Sequence, residues 1–497
     1  MISPVEEPLA EEGRGNSVEW KRLLLISMTA LLALRIVSLW FNNTELFFDE
    51  AQYWAWGKEP AFGYFSKPPM LAWLIGSITG LLGDSEFAVR LLSPLMHTAT
   101  AYLVWRIART LFDRRTGFFA AFTYLTLPAV TLSSTVVSTD VPLLFFWSLA
   151  LFAFIGFRKS GSWRDAALLA MALGLGLLSK YAMIYFLLCI AIFLIFSRQD
   201  RGLLRQPRFW MAILGGLALL TPNLIWNMQN AFATVGHTGE NIGWDGRLHF
   251  LRLAEFLGSQ FGVMGPVLFG IFFIAIFRLI AEGMDSNQRL LLAFSVPVLA
   301  LICFQALMSK AYANWAAVTY IAATILVADL LVNRIPDWWN RLSLGIHLCA
   351  FAVLSVAVAF SLPGQLPLPD EANPFRRMQG AREIAARVEE RLKENSYSAI
   401  LTDNRKFSSL MIYYLRDAGV PVKAWLESGA PSDHFQMSRP FQEDPAEPVL
   451  YVTNASNAAP VLASFTNAVQ LATEAISAGE IPRVWLYDLR GYQRQVQ

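Results

Sequence analysis

Two acidic residues, Asp49 and Glu50, are adjacent in the stretch FFDEAQYWAWGKEPAFGYFSKPP (residues 47–69). The same stretch contains Lys67, which two prolines follow, and it comes shortly after the apolar run LLLISMTALLALRIVSLW. A carboxylate can take a proton from a hydroxyl group, and a lysine can stabilise the negative charge that develops on a leaving group. The stretch therefore has the side-chain types that a group transfer needs.

A third acid, Asp140, lies at the end of the polar loop SSTVVSTD and at the start of another apolar run. Both regions also have a structural interpretation as helix caps. Asp49 would cap the helix AQYWAWG with Gln52 three residues later, and Asp140 would cap a helix with Pro142 in its first turn. From these residues alone, catalysis and capping both stay open.

The composition predicts a polytopic membrane protein. Of the 497 residues, 55% are hydrophobic and only 16% are charged. The formal net charge of +2 is too small to indicate a nucleic-acid partner. The three cysteines all lie in apolar runs, so they indicate neither a disulfide framework nor a metal site.

About eleven apolar runs are long enough to cross the hydrocarbon core as helices, because only a helix satisfies its own backbone there. They lie near residues 23–41, 86–110, 117–133, 140–157, 164–179, 181–197, 209–225, 254–281, 288–308, 312–333 and 341–361. Basic clusters at residues 106–115, 158–164 and 198–208 mark cytoplasmic loops by the positive-inside rule. The three acids are then in loops on the outer face, the N-terminus is cytoplasmic, and the first run is a retained anchor.

Hydropathy falls after residue 361, and short strands such as SAILTD and VLYVTN then alternate with helices such as KFSSLMIYYLRDAG. We therefore predict a cytoplasmic tail (1–22), a transmembrane domain (23–361) and a small extracytoplasmic α/β domain (362–497). In that last domain, DNR at 403–405 lies between a strand and a helix, where open α/β sheets bind ligands. A turn and a helix cap explain the same letters, and we favour that interpretation.

The order of several motifs resembles a known family. DEAQYW, GYFSKPP and STVVSTDVPL, followed by PNLIWN, a loop histidine and ANWAAVTY, are similar to the membrane glycosyltransferases of the protein O-mannosyltransferase and lipid A aminoarabinose transferase superfamily, in its bacterial branch. The resemblance implies the GT-C fold class, an α-helical membrane bundle. The segment MLAWLIGSITGLL is too short to span, so with AQYWAWG it is predicted to lie along the interface.

The resemblance implies inverting transfer of a sugar from a polyprenyl-phosphate carrier to an envelope acceptor, such as lipid A or the lipopolysaccharide core, at the outer face of the bacterial inner membrane. Asp49 is then the base that takes the acceptor proton, and Glu50 orients the site or pairs with a basic residue. Asp140 binds sugar hydroxyls or assists Asp49, while Lys67 binds the leaving phosphate. Further substrate-binding candidates, some of which also fit ordinary interfacial side chains, are Tyr64, Arg247, His237 and Lys310. Lys180 is interpreted as a turn residue.

Ser66 stands where the aminoarabinose branch typically has an acid, so a neutral hexose or a uronic acid fits better than a cationic amino sugar. The resemblance requires no cofactor, although a divalent cation stays open if the three acids converge. The alternative with the same donor chemistry is a protein O-mannosyltransferase. The alternative from another class is a lipid or glycan transporter or flippase, which the scarcity of acids inside the spans disfavours.

Overall fold

The computed structural model describes residues 12–243, 245–362, 364–366, 368–426, 429–441 and 447–493. The chain divides into two compact units, and each is assembled from separate segments. The first unit comprises Met1–Val37, Ser93–Ile225 and Gly239–Ser355. The second unit comprises Ser38–Leu92, Trp226–Thr238 and Val356–Gln497.

Helices dominate the chain as far as residue 357. They are α1 (Glu12–Trp40), α2 (Phe48–Lys58), α3 (Met70–Leu82), α4 (Glu86–Arg90), α5 (Leu92–Leu111), α6 (Arg114–Thr126), α7 (Pro128–Ser133), α8 (Asp140–Ser160), α9 (Trp163–Ser179), α10 (Tyr185–Phe196), α11 (Pro207–Ala218), α12 (Thr221–Gln229), α13 (Ala233–Ile242), α14 (Phe250–Met264), α15 (Pro266–Glu282), α16 (Ser286–Ala293), α17 (Val296–Met308), α18 (Thr319–Asn333) and α19 (Asp337–Ala357). Short 3₁₀ turns occur at Tyr181–Ile184, Arg198–Arg205, Ala313–Ala316, Val358–Phe360, Asp370–Ala372 and Arg376–Met378.

Several of these helices can cross a membrane, so the chain is a multi-pass membrane protein. Within the described residues, five stretches are long and apolar enough, and a sixth counts if α14 and α15, bent by 118°, form one span. The five are Glu19–Trp40, Asp140–Ser160, Pro207–Gln229, Ser286–Met308 and Asp337–Phe360. Other apolar runs are shorter or divided, as between α6 and α7, where Pro128 begins a new helix. The count of eleven therefore stays a prediction.

The first unit has an aromatic core around α8. Trp147 on α8 packs edge to face against Phe186 with 5.1 Å between ring centroids, and Phe186 packs in the same way against Phe294 at 4.9 Å. All three rings are buried. Such contacts add to the burial of apolar area and hold α8, which begins at Asp140, in a fixed position within this unit.

The second unit contains the first predicted outward loop, where α2 and α3 are both helical as expected. The two helices approach at paired glycines: a Cβ at Gly57 would lie 2.8 Å from the carbonyl oxygen of Ala72 and 2.9 Å from the backbone nitrogen of Gly76. Only glycine permits this backbone contact. The approach fixes the axis of α2, which carries Asp49 and Glu50.

The second unit also contains a mixed five-stranded sheet in the order β2-β1-β3-β5-β4. Its elements are α20 (Ala381–Glu394), β1 (Ala399–Thr402), α21 (Arg405–Tyr414), β2 (Val422–Ala424), α22 (His434–Ser438), β3 (Val449–Thr453), α23 (Ala459–Leu462), β4 (Phe465–Ala475) and β5 (Arg483–Tyr492). Strand β1 is parallel to β2 and β3, whereas β5 is antiparallel to β3 and β4. The sequence did not indicate β4, because this edge strand is mostly exposed and lacks a buried apolar face.

Candidate active site

Asp49 lies in the first turn of α2, which begins at Phe48, so it is not the helix cap that one interpretation of the sequence suggested. Its Oδ1 accepts a hydrogen bond of 3.0 Å from Nη1 of Arg405, the first residue of α21. The same Nη1 donates to Oε1 of Gln52 at 3.1 Å. Within the described residues Oδ2 of Asp49 has no hydrogen-bond partner, and the side chain is 34% exposed. One carboxylate oxygen is therefore held and the other is open to a ligand.

Glu50 has the opposite environment, since both it and its partner Arg90 are buried. Arg90 donates from Nε to Oε1 at 3.0 Å and from Nη2 to Oε2 at 2.8 Å. The guanidinium also donates to the carbonyl oxygens of Thr44 and Glu45. Oε2 of Glu50 accepts from the backbone N–H of Phe47 at 2.9 Å, which satisfies the start of α2. Glu50 therefore ties α2 to α4 and sets the position of Asp49.

Arg90 and Glu50 thus form a buried ion pair in which two guanidinium nitrogens donate to the two carboxylate oxygens. A charged, bidentate pair of this kind has a defined geometry, and removing either partner would leave an uncompensated buried charge.

Tyr64 and Lys67 occupy the loop between α2 and α3. Tyr64 is buried, and its ring stacks on Trp56 with 4.5 Å between centroids and an interplanar angle of 2°. Its hydroxyl donates to the carbonyl oxygen of Trp56 at 2.8 Å and accepts from the N–H of Ala61 at 3.1 Å. Burial raises the pKa of Tyr64 to about 12. These contacts indicate that Tyr64 packs the loop and does not bind substrate directly. Lys67, in contrast, is only half-buried.

A cavity of about 270 Å³ lies next to α2 within the second unit. Its lining comes from α2, the loop between α2 and α3, α13, and the first turns of α21 and α22 with the loops that precede them. It comprises Gln52, Phe65, Ser66, His237, Asp403, Asn404, Arg405, Ser432, Asp433, His434 and Gln436. Of the described residues in this lining, Arg405 is the only arginine or lysine. His237 is thus brought to the same cavity as Ser66, and its ring centroid is 5.9 Å from that of Phe65.

The two acids in the cavity lining have protein partners. Asp403 accepts hydrogen bonds from the hydroxyls of Tyr451, at 2.9 Å, and Thr453. Asp433 accepts from two backbone N–H groups at the start of α22, at 2.7 and 3.1 Å, and burial raises its pKa. Burial, together with the charge of Arg439, lowers the pKa of His434 to about 3. His434 is therefore neutral at pH 7, and each acid in the lining has at least one oxygen held by neutral donors.

Asp140 is the first residue of α8 in the first unit, and the cap position belongs to Thr139. Its Oδ1 accepts from Nζ of Lys180 at 2.7 Å, and its Oδ2 accepts from Nδ2 of Asn314 at 2.7 Å. The side chains of Asp140 and Lys180 are only 10% and 19% exposed. Lys180, which the sequence suggested as a turn residue, is therefore an ion-pair partner.

Arg247 and Lys310, the remaining predicted substrate ligands, are exposed residues of the first unit. The ammonium group of Lys310 lies 4.5 Å from the ring centroid of Tyr312. The backbone N–H of Arg247 donates to Asp245 at 3.1 Å. Across the described part of the chain, no group of three or more histidine, cysteine or acidic side chains is arranged to hold a metal ion.

The family model and the two relatives that this sequence matches are all sugar transferases. Residues 66–226 match the family described as dolichyl-phosphate-mannose-protein mannosyltransferase. Lipid A galacturonosyltransferase RgtD of Rhizobium johnstonii is 36% identical over 422 residues, which is 84% of this chain and 88% of that protein. An undecaprenyl phosphate-alpha-4-amino-4-deoxy-L-arabinose arabinosyl transferase of Aeromonas hydrophila is 31% identical over 165 residues, 32% of this chain and 30% of that protein.

Solved structures show the same fold at low sequence identity. Apo ArnT from Cupriavidus metallidurans superimposes with a TM-score of 0.67 at 16% identity, covering 95% of this chain and 98% of that chain. ArnT bound to undecaprenyl phosphate gives the same TM-score and identity, with 94% and 98% covered. The oligosaccharyltransferase of Archaeoglobus fulgidus gives a TM-score of 0.51 at 13% identity, covering 80% of this chain and 62% of that chain.

Proposed function

Because the chain belongs to the GT-C family of membrane glycosyltransferases that includes lipid A galacturonosyltransferase RgtD, we propose that it transfers a uronic acid from a polyprenyl-phosphate carrier to lipid A. The observation that carries the proposal is the 36% identity over 84% of this chain and 88% of RgtD. Of the two sugars that Ser66 favoured, the neutral hexose and the uronic acid, this similarity supports the uronic acid. The ArnT complex with undecaprenyl phosphate supports a carrier of that kind.

In the proposed reaction the oxygen of an acceptor hydroxyl attacks the anomeric carbon, with inversion. The open Oδ2 of Asp49 takes the hydroxyl proton, and the bond between the anomeric carbon and the phosphate oxygen breaks. The carrier phosphate leaves with the electron pair, and Lys67 stabilises its charge. Glu50 and Arg90 act by holding α2 in place. For Asp140, now seen with Lys180, we retain a role in binding sugar hydroxyls or assisting the base.

The finer topology is also proposed. Eleven spans, a cytoplasmic N-terminus, interfacial α2 and α3 and a periplasmic α/β domain follow from hydropathy and the positive-inside rule. The domain boundaries at residues 22 and 361 belong to the same proposal. The divided helices are consistent with eleven spans, because a span can contain a break where neighbouring helices satisfy the backbone. The proposal includes no required cofactor, and removal of divalent cations by a chelator tests that point directly.

The function is tested by mass spectrometry of lipid A and of envelope glycoproteins from three strains: one with the intact gene, one lacking it and one with the deletion complemented. Loss of one uronic acid from lipid A in the deletion strain, restored by complementation, is the expected result. Loss of a neutral hexose would change the sugar, and loss of a protein-linked sugar would favour the O-mannosyltransferase alternative. Unchanged glycans with altered lipid distribution would favour a transporter.

A further inference from the structure

Arg405 keeps hydrogen-bonding capacity that the protein does not use. Both of its hydrogen bonds, to Asp49 and Gln52, are made by Nη1. Across the part of the chain that the structure describes, Nε and Nη2 have no hydrogen-bond partner. The guanidinium carbon lies 4.9 Å from the ring centroid of Phe48, so a third residue of α2 also contacts the group. The edge formed by Nε and Nη2 is therefore positioned but unfilled.

The lining of the cavity beside this edge contains one guanidinium and two carboxyl groups. Arg405 is 35% exposed and, among the described residues that line the 270 Å³ cavity, is the only arginine or lysine. The acids in the lining, Asp403 and Asp433, accept hydrogen bonds from neutral hydroxyl and backbone groups, so the guanidinium edge is the group that can hold a carboxylate by paired, charged donors. Ser66, also in the lining, is neutral. A planar carboxylate fits a guanidinium edge through two parallel hydrogen bonds, which a lysine could not reproduce.

We propose that the Nε–Nη2 edge of Arg405 binds the carboxylate of the sugar donor, so that the C-terminal α/β region selects an acidic sugar. This inference rests on the proposed function, because it names the group of the uronic acid that is recognised. It also explains why an arginine that is 356 residues away in sequence pairs with Asp49. One guanidinium holds the base on Nη1 and the sugar on its other edge, which fixes the sugar relative to the base.

The test uses the purified full-length enzyme and two donors, polyprenyl-phosphate galacturonic acid and polyprenyl-phosphate galactose, with lipid A as acceptor. Arg405→Gln removes the guanidinium, and Arg405→Lys keeps a charge but removes the planar edge. Lys406→Gln is the matched control, since it removes a charge from the next residue, whose ammonium pairs with Glu480. Binding of each donor is measured separately by its effect on thermal unfolding.

For both Arg405 variants we expect KM for the acidic donor to rise about 10- to 100-fold, the loss that corresponds to a charged hydrogen-bonded contact. The preference for galacturonic acid over galactose should fall by the same factor, and the galactose donor should bind as before. Lys406→Gln should keep the preference of the natural chain. A structural role for Arg405 alone would weaken both donors equally, and that result would overturn the inference.

Three other outcomes separate a carboxylate site from a phosphate site, and failure of the inference from failure of the proposed function. If Arg405 bound the carrier phosphate, both variants would lose affinity for free undecaprenyl phosphate and for both donors, which would contradict a carboxylate site. If the natural chain preferred the acidic donor and the variants kept that preference, the inference would fail while the proposed function stood. If the natural chain used neither donor, or preferred galactose, the proposed function itself would fail.

Discussion

Two acids at the beginning of helices, one in each unit, are paired with cations in different ways. Asp49 uses one oxygen for Arg405 and has 34% of its side chain exposed. Asp140 uses both oxygens, one for Lys180 and one for Asn314, and is 10% exposed. A base needs an oxygen that substrate can reach, whereas a residue that holds a neighbour in place does not. The difference supports the proposal that Asp49 removes the proton and that Asp140 positions a cation or a ligand.

The largest effect should come from Asp49→Asn. The amide keeps the shape of the side chain and an oxygen for Arg405, but it cannot take a proton. We expect kcat to fall about 10²- to 10⁴-fold, the range for loss of a general base, with donor affinity little changed. Transfer by the purified enzyme and donor-induced thermal stabilisation measure the two quantities. A greater loss in Asp140→Asn than in Asp49→Asn would reverse the assignment.

Glu50→Gln should act on stability, although Glu50 is next to Asp49 in sequence. It leaves Arg90 as a buried charge with a neutral partner, and breaking such a pair costs roughly 3–5 kcal/mol. Thermal unfolding in detergent should show a clear fall in midpoint, and activity per folded molecule should fall much less. The matched control is Glu59→Gln, because Glu59 forms a pair with Arg439 in which it is 49% exposed; such pairs contribute about 0–1 kcal/mol. A normal midpoint with lost activity would give Glu50 a role in the chemistry.

The same contrast shows what the sequence could predict. Asp49, Glu50, Lys67 and Asp140 could be proposed as site residues because each lies in a short motif of recognisable order. Their partners could not be predicted: Arg90 is 40 residues from Glu50, Arg405 is 356 residues from Asp49, and no local pattern joins either pair. The letters DNR at 403–405 were favoured as a turn and cap, and Asn404 does cap α21 by accepting from the N–H of Phe407. Arg405 nevertheless bonds to Asp49 on α2, a contact that forms only when the folded chain brings α21 next to α2.

The sequence predicted different features of the apolar helical region and of the C-terminal α/β region. Apolar runs identified the helices, since burial and span length both require continuous apolar residues. Breaks inside those runs depend on single residues such as Pro128, and they shift the number of helices that meet a length criterion. In the α/β region, the buried strands β1 and β3 were evident from their apolar letters. Edge strand β4 was not, because hydrogen bonding to β5 and not burial holds it in the sheet.

Among the three acid-to-amide variants, Asp49→Asn, Glu50→Gln and Asp140→Asn, the last should have the smallest effect. The amide can still bond to Asn314, but Lys180 loses the charge that holds its ammonium group. We therefore expect KM to rise about tenfold with kcat less affected, and Lys180→Met should do the same. Because coupled partners have interaction energies of about 0.5–3 kcal/mol, the double variant should be hardly worse than either single variant. Additive losses would show that the acid and the lysine act separately, and a fall in kcat equal to that of Asp49→Asn would place Asp140 in the proton transfer.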